Sequence, residues 1–254
     1  MSNARKLVIG NWKLNPATLK EAKKIFTDST KGIPRGVEVV ICPPSLYLSE
    51  LERLSRSRTV SFGVQNLFWE TVGPFTGELS GSMAESVGAT FAIVGHSERR
   101  ALGETNEIVS SKVSAALKTG LKAVLCVGER EHDSYGNYLP ELQSQIEKSL
   151  TGVAPSLLSS LIVAYEPLWA IGKSTIGGAM TPRELHETVI FIRKVLHDRF
   201  GKKALSIPIL YGGAVAPENS GVLISEGKVR GLLVGGQSLK PKAFREILQA
   251  VAKA

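Results

Sequence analysis

The chain has 254 residues, of which 43% are hydrophobic and 21% are charged, and its formal net charge is +8 at pH 7. These values are typical of a soluble globular protein with enough apolar material for one large core, built as one α/β barrel or as two small domains. They exclude a chain that is mostly disordered. The positive charge favours an anionic partner, either a phosphate ester, a nucleic acid or an anionic membrane.

Basic residues are spread over polar, helix-like stretches of the chain. They are not interleaved with aromatic residues, as they would be on a face that binds nucleic acid. We therefore interpret them as a solvated surface and predict no nucleic-acid partner. The stretches contain Lys20, Lys23, Lys24, Lys112, Lys118, Arg193 and Lys194.

The two cysteines and the amino-terminal segment indicate the compartment. Cys42 and Cys126 each lie inside an apolar run, where a small buried thiol is more frequent than a disulfide or a metal ligand. The segment before Asn11 has too few consecutive apolar residues for a signal peptide or a membrane span. We predict a cytoplasmic protein that does not bind membranes.

Eight short apolar runs, rich in β-branched residues, are predicted to be strands. Their hydrophobicity is nearly continuous instead of alternating, which indicates parallel strands covered on both faces. In chain order the runs are 7–10, 37–42, 59–64, 91–95, 122–128, 161–166, 207–213 and 231–236.

Amphipathic segments between the runs are predicted to be helices, among them 17–31, 104–119, 183–200 and 242–253. Asn15-Pro16 and Thr181-Pro182 each supply an N-cap followed by proline at the first turn, and Gly120 and Gly201 follow two predicted helix ends. Eight strands alternating with helices over this length predict an α/β fold, a (β/α)8 barrel of eight parallel strands ringed by helices, as one domain over 1–254. A doubly wound sheet is the alternative, but it would carry a glycine fingerprint after the first strand, and none is present.

Polar side chains follow several of the predicted strands directly. In a barrel the carboxyl ends of all strands lie at one face, so these side chains converge there. Each alone has a structural explanation, such as a solvated lysine, a packed histidine or a glutamate in a salt bridge. Their convergence instead predicts an active site. The residues are Asn11, Lys13, His96, Ser97, Glu98, Glu129 and Glu166.

Two glycine pairs end the last two strands, Gly212-Gly213 and Gly235-Gly236. Bare backbone amides at such turns bind anions, and barrels often hold phosphate between these two loops. The structural explanation is a pair of tight turns that need positive φ. Because the pairs occur at adjacent strands, we predict a phosphate site.

Six segments of the chain resemble the signature segments of the triosephosphate isomerase family. They occur in the family's order at suitable separations and cover essentially the whole chain. The resemblance implies a TIM barrel that interconverts dihydroxyacetone phosphate and D-glyceraldehyde 3-phosphate through a cis-enediol(ate), in glycolysis and gluconeogenesis. We predict no cofactor and no metal. The segments are GNWKLN (10–15), GHSERR (95–100), CVGE (126–129), AYEPLWAIG (164–172), YGGAV (211–215) and LLVGGQSL (232–239).

The resemblance also implies a role for each site residue. Glu166 would be the base that moves the proton between two carbons, His96 the electrophile at the oxygens, and Lys13 a cation for the phosphate and the enediolate. Pro167 would aim Glu166, while Trp169 and Ile171 form an apolar lid that dehydrates the carboxylate. Ile171 and Leu233 would press on Glu166 in the closed state. The expected substrate contacts are Asn11, Lys13, Gly172, Ala214, Gly235 and Gly236, and Ser97, Glu98 and Glu129 are expected to support the site.

Two departures from the family pattern concern the lid and the phosphate site. Residues 173–180 form a longer hinge than the family's usual Thr-Gly-Lys-Thr-Ala and contain a Gly-Gly pair. Ala214 replaces the serine of the usual YGGS, so it offers a backbone amide but no hydroxyl. We expect weaker lid closure and intact chemistry.

Residues 63–78, GVQNLFWETVGPFTGE, resemble the protruding loop through which subunits of this family pair. The loop carries four large apolar side chains that are costly to leave in water. The resemblance implies a homodimer in which Thr76 meets the neighbour's site near Asn11 and Lys13.

Two other functions remain as alternatives. A barrel that holds a phosphorylated ligand without turning it over would have no need for Lys13, His96 and Glu166 together. Another phosphate-using barrel enzyme, such as one of amino-acid biosynthesis, would lack the pairing of GHSERR with YEPLWAIG.

Overall fold

Eight parallel strands close into a barrel in the computed structural model, which describes residues 5–55, 60–133, 135–170 and 180–254. Each strand pairs with the next one along the chain, and the last pairs with the first, with Leu7 opposite Gly231. This confirms the predicted fold class. The strands are β1 (Lys6–Asn11), β2 (Val37–Cys42), β3 (Val60–Val64), β4 (Ala89–Val94), β5 (Lys122–Val127), β6 (Leu161–Tyr165), β7 (Ile209–Tyr211) and β8 (Gly231–Val234).

Helices surround the barrel and follow the strands in sequence. Within the described ranges the α-helices are α1 (Leu19–Ser29), α2 (Ser45–Leu54), α3 (Gly81–Ser86), α4 (Ser97–Ala101), α5 (Asn106–Lys118), α6 (Leu139–Ser149), α7 (Pro182–Phe200), α8 (Pro217–Ser225) and α9 (Pro241–Lys253). Short 3-10 helices cover Pro155–Ser160, Leu168–Ala170, Gly201–Ser206 and Gly236–Leu239. None of these helices is both long enough and apolar enough to cross a bilayer.

The strands are apolar at nearly every position because each contributes to two cores. In β1, for example, Ile9 points into the barrel and Val8 packs against the surrounding helices. Alternate residues of a strand face opposite sides of a sheet, so a strand covered on both sides has no polar face. The inner core comprises Leu7, Ile9, Val40, Cys42, Phe91, Ile93, Val124, Cys126, Ile162, Ala164, Leu210 and Leu233.

The sequence signals predict the start of α7 correctly, but they do not predict the start of α1. Thr181 caps α7 in a capping box with Glu184, as the Thr-Pro signal predicted. The predicted start after Asn15-Pro16 is wrong, because α1 begins at Leu19 and its N-cap is Thr18. The Thr18 hydroxyl accepts a hydrogen bond from the backbone N–H of Glu21 at 3.2 Å, which satisfies one of the free donors of the first turn.

The two thiols lie in the inner core, and burial raises the pKa of both Cys42 and Cys126. Because the thiolate is the reactive form, we predict that neither reacts with Ellman's reagent in the native protein at about pH 8. In guanidinium chloride, titration should release two thiols per chain. Stoichiometric reaction of the native protein would contradict this burial.

The seam between β8 and β1 leaves no room for a side chain at Gly231. A Cβ atom there would lie 1.9 Å from the carbonyl oxygen of Leu7. We predict that Gly231→Ala lowers the free energy of unfolding by about 3 kcal/mol or more, since overpacking forces the backbone to shift. The matched control is Gly221→Ala in α8, where a Cβ would have ordinary contacts at 3.6 Å.

In the control, alanine should be neutral or stabilise the helix by up to about 1 kcal/mol. Guanidinium denaturation of both variants and the parent measures the two effects. Equal stability of the two variants would show that the strand seam tolerates a Cβ.

Candidate active site

A cavity of about 380 Å³ opens at the carboxyl ends of the strands. It brings together side chains and backbone from both ends of the sequence, as the barrel predicts. Of the predicted site residues, the lining contains Asn11, Lys13, His96, Glu166, Ala214, Leu233, Gly235 and Gly236. Ile171 and Gly172, with most of the predicted lid hinge, lie outside the described residues.

Lys13 points into this cavity from a left-handed backbone conformation, with φ of 53°. Such a conformation is unfavourable for a lysine and needs support from its surroundings. The Asn11 side chain accepts a hydrogen bond from the Lys13 N–H at 3.0 Å, and Gln65 Nε2 donates to the Lys13 carbonyl at 2.9 Å. The same Gln65 nitrogen donates to the carbonyl of Cys42. Gln65 thus ties the turn after β1 to the end of β2.

The ammonium group of Lys13 forms an ion pair with Glu98, at 2.5 Å between Nζ and Oε1. The side chain of Glu98 is 57% exposed, so this pair is open to solvent. Exposed ion pairs contribute little to stability. The ion pair therefore places the ammonium group of Lys13 at the cavity mouth, but it binds the group there only weakly.

His96 caps the short helix α4, and this contact defines the protonation of its ring. The ring Nδ1 accepts a hydrogen bond from the backbone N–H of Glu98 at 3.2 Å. An accepting Nδ1 carries no proton, so the proton of the neutral ring is on Nε2. Nε2 lies 3.4 Å from Oε1 of Glu166. The imidazole thus presents a donor to the cavity.

Glu166 is 2% exposed and follows β6 directly. Its Oε2 atom accepts a long hydrogen bond from the backbone N–H of Ser97 at 3.4 Å. The thiol of Cys126 lies on the barrel side, where burial and the charge of Glu166 both raise the thiol pKa. The carboxylate is therefore almost excluded from water. Its hydrogen bond is long and is easily broken.

Glycines on both neighbouring strands make room for Glu166. A Cβ at Gly128, after β5, would lie 1.9 Å from the Glu166 carbonyl oxygen. A Cβ at Gly212, after β7, would lie 2.7 Å from the Glu166 Cγ. The two strand ends can flank this carboxylate only because both positions lack a side chain.

The loops after β7 and β8 form the part of the cavity wall between Glu166 and Lys13. None of the four paired glycines has positive φ, so the explanation by tight turns is wrong for them. Nothing lies within 4 Å of a Cβ placed on Gly236, which begins the 3-10 helix after β8. Lys240 also lines this end and adds a second cation. The backbone here is open toward the cavity, as an anion site requires.

Glu129 is fully buried beside the connection that follows β6, and one of its oxygens receives three contacts. Oε1 accepts hydrogen bonds from the Tyr165 hydroxyl and from Trp169 Nε1, both at 2.8 Å, and lies 3.1 Å from His132 Nδ1. Burial and the charge of Glu129 raise the pKa of Tyr165, which keeps the phenol protonated as a donor. The indole of Trp169, expected as part of the apolar lid, thus also donates a hydrogen bond to Glu129.

Several residues shape the site in ways that the sequence patterns did not indicate. Gln65, Gly128 and Gly212 act on residues far away in sequence, and His132 lies in a polar loop without a motif. Lys240 follows the recognised LLVGGQSL segment and could have been found from its position. Within the described ranges, no group of three His, Cys, Asp or Glu side chains is arranged to hold a metal ion.

Comparisons with known proteins agree on one family. The family model described as triosephosphate isomerase matches residues 6–251. A protein named triosephosphate isomerase from Dehalococcoides mccartyi is 39% identical over 251 residues, covering 97% of both chains. Its namesake from Moorella thermoacetica is 39% identical over 249 residues, covering 96% of this chain and 98% of the relative.

A solved structure gives the same result in three dimensions. The crystal structure of triosephosphate isomerase from Bartonella henselae superposes with a TM-score of 0.83 at 36% sequence identity. The match covers 97% of this chain and 99% of that one. By its sequence, its barrel and the full length of these matches, the chain belongs to the triosephosphate isomerase family.

Proposed function

We propose that this chain is an isomerase that interconverts dihydroxyacetone phosphate and D-glyceraldehyde 3-phosphate through a cis-enediol(ate), without a cofactor. The observation that carries the proposal is the convergence of Lys13, His96 and Glu166 on one cavity beside the Gly235-Gly236 backbone. Removing a proton next to a carbonyl creates an oxyanion. The reaction therefore needs a base and positioned donors together.

Glu166 is the proposed base. It takes the proton from C1 of dihydroxyacetone phosphate, which leaves the enediolate; once the hydroxyl proton on O1 has passed to O2, Glu166 returns its proton to C2, which gives the aldehyde at C1. The burial of this residue, which is 2% exposed, supports the role, because it keeps water away from the group that takes the proton. Ile171 and Leu233 would complete its apolar surroundings, and Leu233 is a buried residue of the cavity lining.

His96 and Lys13 are the proposed donors. The Nε2–H of His96 is directed to the Glu166 side of the cavity, where it can donate to either substrate oxygen. Lys13 supplies a fixed positive charge between those oxygens and the phosphate. The His96 ring needs no reorganisation when negative charge develops, which is the condition for strong stabilisation, and Lys13 has to give up only its exposed ion pair with Glu98.

The phosphate is proposed to bind between the last two loops, through backbone amides of Ala214, Gly235 and Gly236 and through Lys13. Asn11 contributes by holding Lys13, and its side chain also lines the cavity. Gly172 is proposed as a further amide donor on the resemblance alone. We also propose that residues 1–254 form one domain and that the protein is cytoplasmic.

We predict that Glu166→Gln lowers kcat by about 10²- to 10⁴-fold, since the amide keeps the shape but cannot act as a base. Conversion of glyceraldehyde 3-phosphate is measured by coupling to glycerol-3-phosphate dehydrogenase. Glu187→Gln on the exposed side of α7 is the matched control and should keep the parental rate. A folded Glu166→Gln protein with near-parental turnover would exclude Glu166 as the base, and an inactive parent would exclude the reaction.

We further propose a homodimer built on the loop that contains Thr76. A second cavity of about 420 Å³ adjoins the first and shares Asn11, Lys13 and His96 with it. Leu14 and Leu102 also line this second cavity and are 95% and 78% exposed. Apolar side chains beside an open cavity are typical of a protein interface.

Aromatic side chains in the protruding loop pack against one another. Phe68 stacks on Trp69 at 4.0 Å between ring centroids and contacts Phe75 at 4.6 Å. This aromatic cluster stiffens the loop and presents Thr76, which is exposed. In the proposed dimer, each loop enters the second cavity of the neighbour and covers Lys13 from outside.

We predict that light scattering at micromolar concentration gives about twice the chain mass of 27.3 kDa. Thr76→Arg should yield monomers with reduced activity, because a buried unpaired charge opposes docking of the loop. Ile190→Arg, on an exposed position of α7, is the control and should stay dimeric. A fully active parental monomer would refute the dimer and the contribution of Thr76.

A further inference from the structure

His132 lies in a loop after β5, and its ring contacts Trp169 in the connection that follows Glu166. Its ring lies 4.9 Å from the Trp169 indole and 4.0 Å from the Tyr138 ring, between centroids. Its Nδ1 is 3.1 Å from Oε1 of Glu129. The side chain of His132 is only 15% exposed. Although the loop is polar, the His132 ring is packed against other side chains and is not a solvated surface group.

Glu129 connects His132 to both sides of Glu166. It binds the hydroxyl of Tyr165, the residue before Glu166, and the indole of Trp169, three residues after Glu166. Its backbone carbonyl also accepts the N–H of Leu168 at 2.9 Å. The Glu129 carboxylate therefore holds the two side chains that flank Glu166, and the Glu129 carbonyl holds the backbone of the connection after it.

The carboxylate of Glu129 is held through a single oxygen. Oε2 is buried and has no hydrogen-bond partner among the described residues. Among the described residues, the polar contacts that orient this carboxylate are thus the three on Oε1, from Tyr165, Trp169 and the His132 ring nitrogen. His132 is the one of the three that is not part of β6 or of the connection after it. His132 therefore contacts Glu129 from a segment of the chain that is separate from β6 and from the connection after it.

We propose that His132 is a positioning residue for the isomerisation: its Nδ1–H donates to Glu129, and this contact fixes Tyr165 and Trp169 and so the position of Glu166. The hydrogen bond to a carboxylate places the ring proton on Nδ1, opposite to the tautomer of His96. The inference rests on the proposed role of Glu166 as the base. It assigns no contact between His132 and the substrate.

The test separates the donor from the ring. His132→Phe keeps an aromatic ring against Trp169 and removes the donor, whereas His132→Asn keeps an N–H near the position of Nδ1 and removes the ring. His197→Phe and His197→Asn are the matched controls, because His197 lies on α7 with a side chain 47% exposed. All variants are assayed well below their melting temperatures, with kcat and KM determined separately.

We expect His132→Phe to lower kcat about tenfold, because misplacing a base by less than an ångström is costly. KM should stay within about twofold, since the contacts of His132 in the described part of the chain are with Glu129, Tyr138 and Trp169, none of which is proposed to bind the phosphate. His132→Asn should recover most of the lost kcat, and both His197 variants should match the parent. Should His132→Phe not fold, His132→Ala removes the donor without an added ring.

Three results would overturn the proposal. The first is an unchanged kcat in the folded variant without the donor. The second is an equal loss of kcat in the phenylalanine and asparagine variants, which would show that restoring an N–H donor near Nδ1 does not restore kcat. The third is a change confined to KM or to the melting temperature. An inactive parent would instead refute the proposed isomerase function, and parental turnover in Glu166→Gln would refute the role of Glu166.

Discussion

The backbone contact between Gly128 and Glu166 is the constraint around which the site is built. The Glu166 carbonyl packs directly against the Cα of Gly128, and its N–H donates to the carbonyl of Val127 at 2.8 Å. These contacts continue the pairing of β5 with β6 beyond the last residue of each strand. A residue at the start of a connection would normally move together with that connection, and its carboxylate would move with it. Here the backbone of Glu166 belongs to the sheet, and the connection begins only after it.

This constraint explains why the neighbouring residues are so specific. Gly212 has to be small because the Glu166 side chain leaves the sheet toward β7. Ser97 and His96 meet the carboxylate from β4 with one backbone and one ring N–H. Four consecutive strands, β4 to β7, therefore determine the position of one side chain. The barrel supplies this because its strand ends form a closed circle.

The fold could be predicted from the sequence because the strands are buried on both faces. Apolar residues in Leu161–Tyr165 fill both cores, so the run is visible without knowledge of its partners. Strand lengths were less predictable, since β7 covers only Ile209–Tyr211. The start of α1 was missed although Thr18 and Glu21 have the spacing of a capping box. Asn15-Pro16 gave the competing signal three residues earlier.

The residues that line the cavity could be predicted in part from the sequence, but the contacts between them could not. Polar side chains after apolar runs marked Lys13, His96 and Glu166, and the cavity brings them together. The strained backbone of Lys13 depends on Gln65, which is 52 residues away in sequence. The indole of Trp169 turns to Glu129 because a buried carboxylate needs donors, a requirement that exists only after folding. Such pairings follow from three-dimensional contacts that a linear pattern does not encode.

The ion pair between Lys13 and Glu98 has a consequence for how a substrate first meets the protein. Because Glu98 neutralises the lysine at the cavity mouth, this lysine adds little to the electric field in the surrounding solvent. Attraction of a dianion from a distance must come from the surplus of 31 basic over 23 acidic residues across the whole chain. Dissolved salt screens such a field beyond about 10 Å at 0.1 M ionic strength. Capture is therefore expected to depend on ionic strength, whereas the contact proposed between Lys13 and a bound phosphate would act over a few ångströms and be largely unscreened.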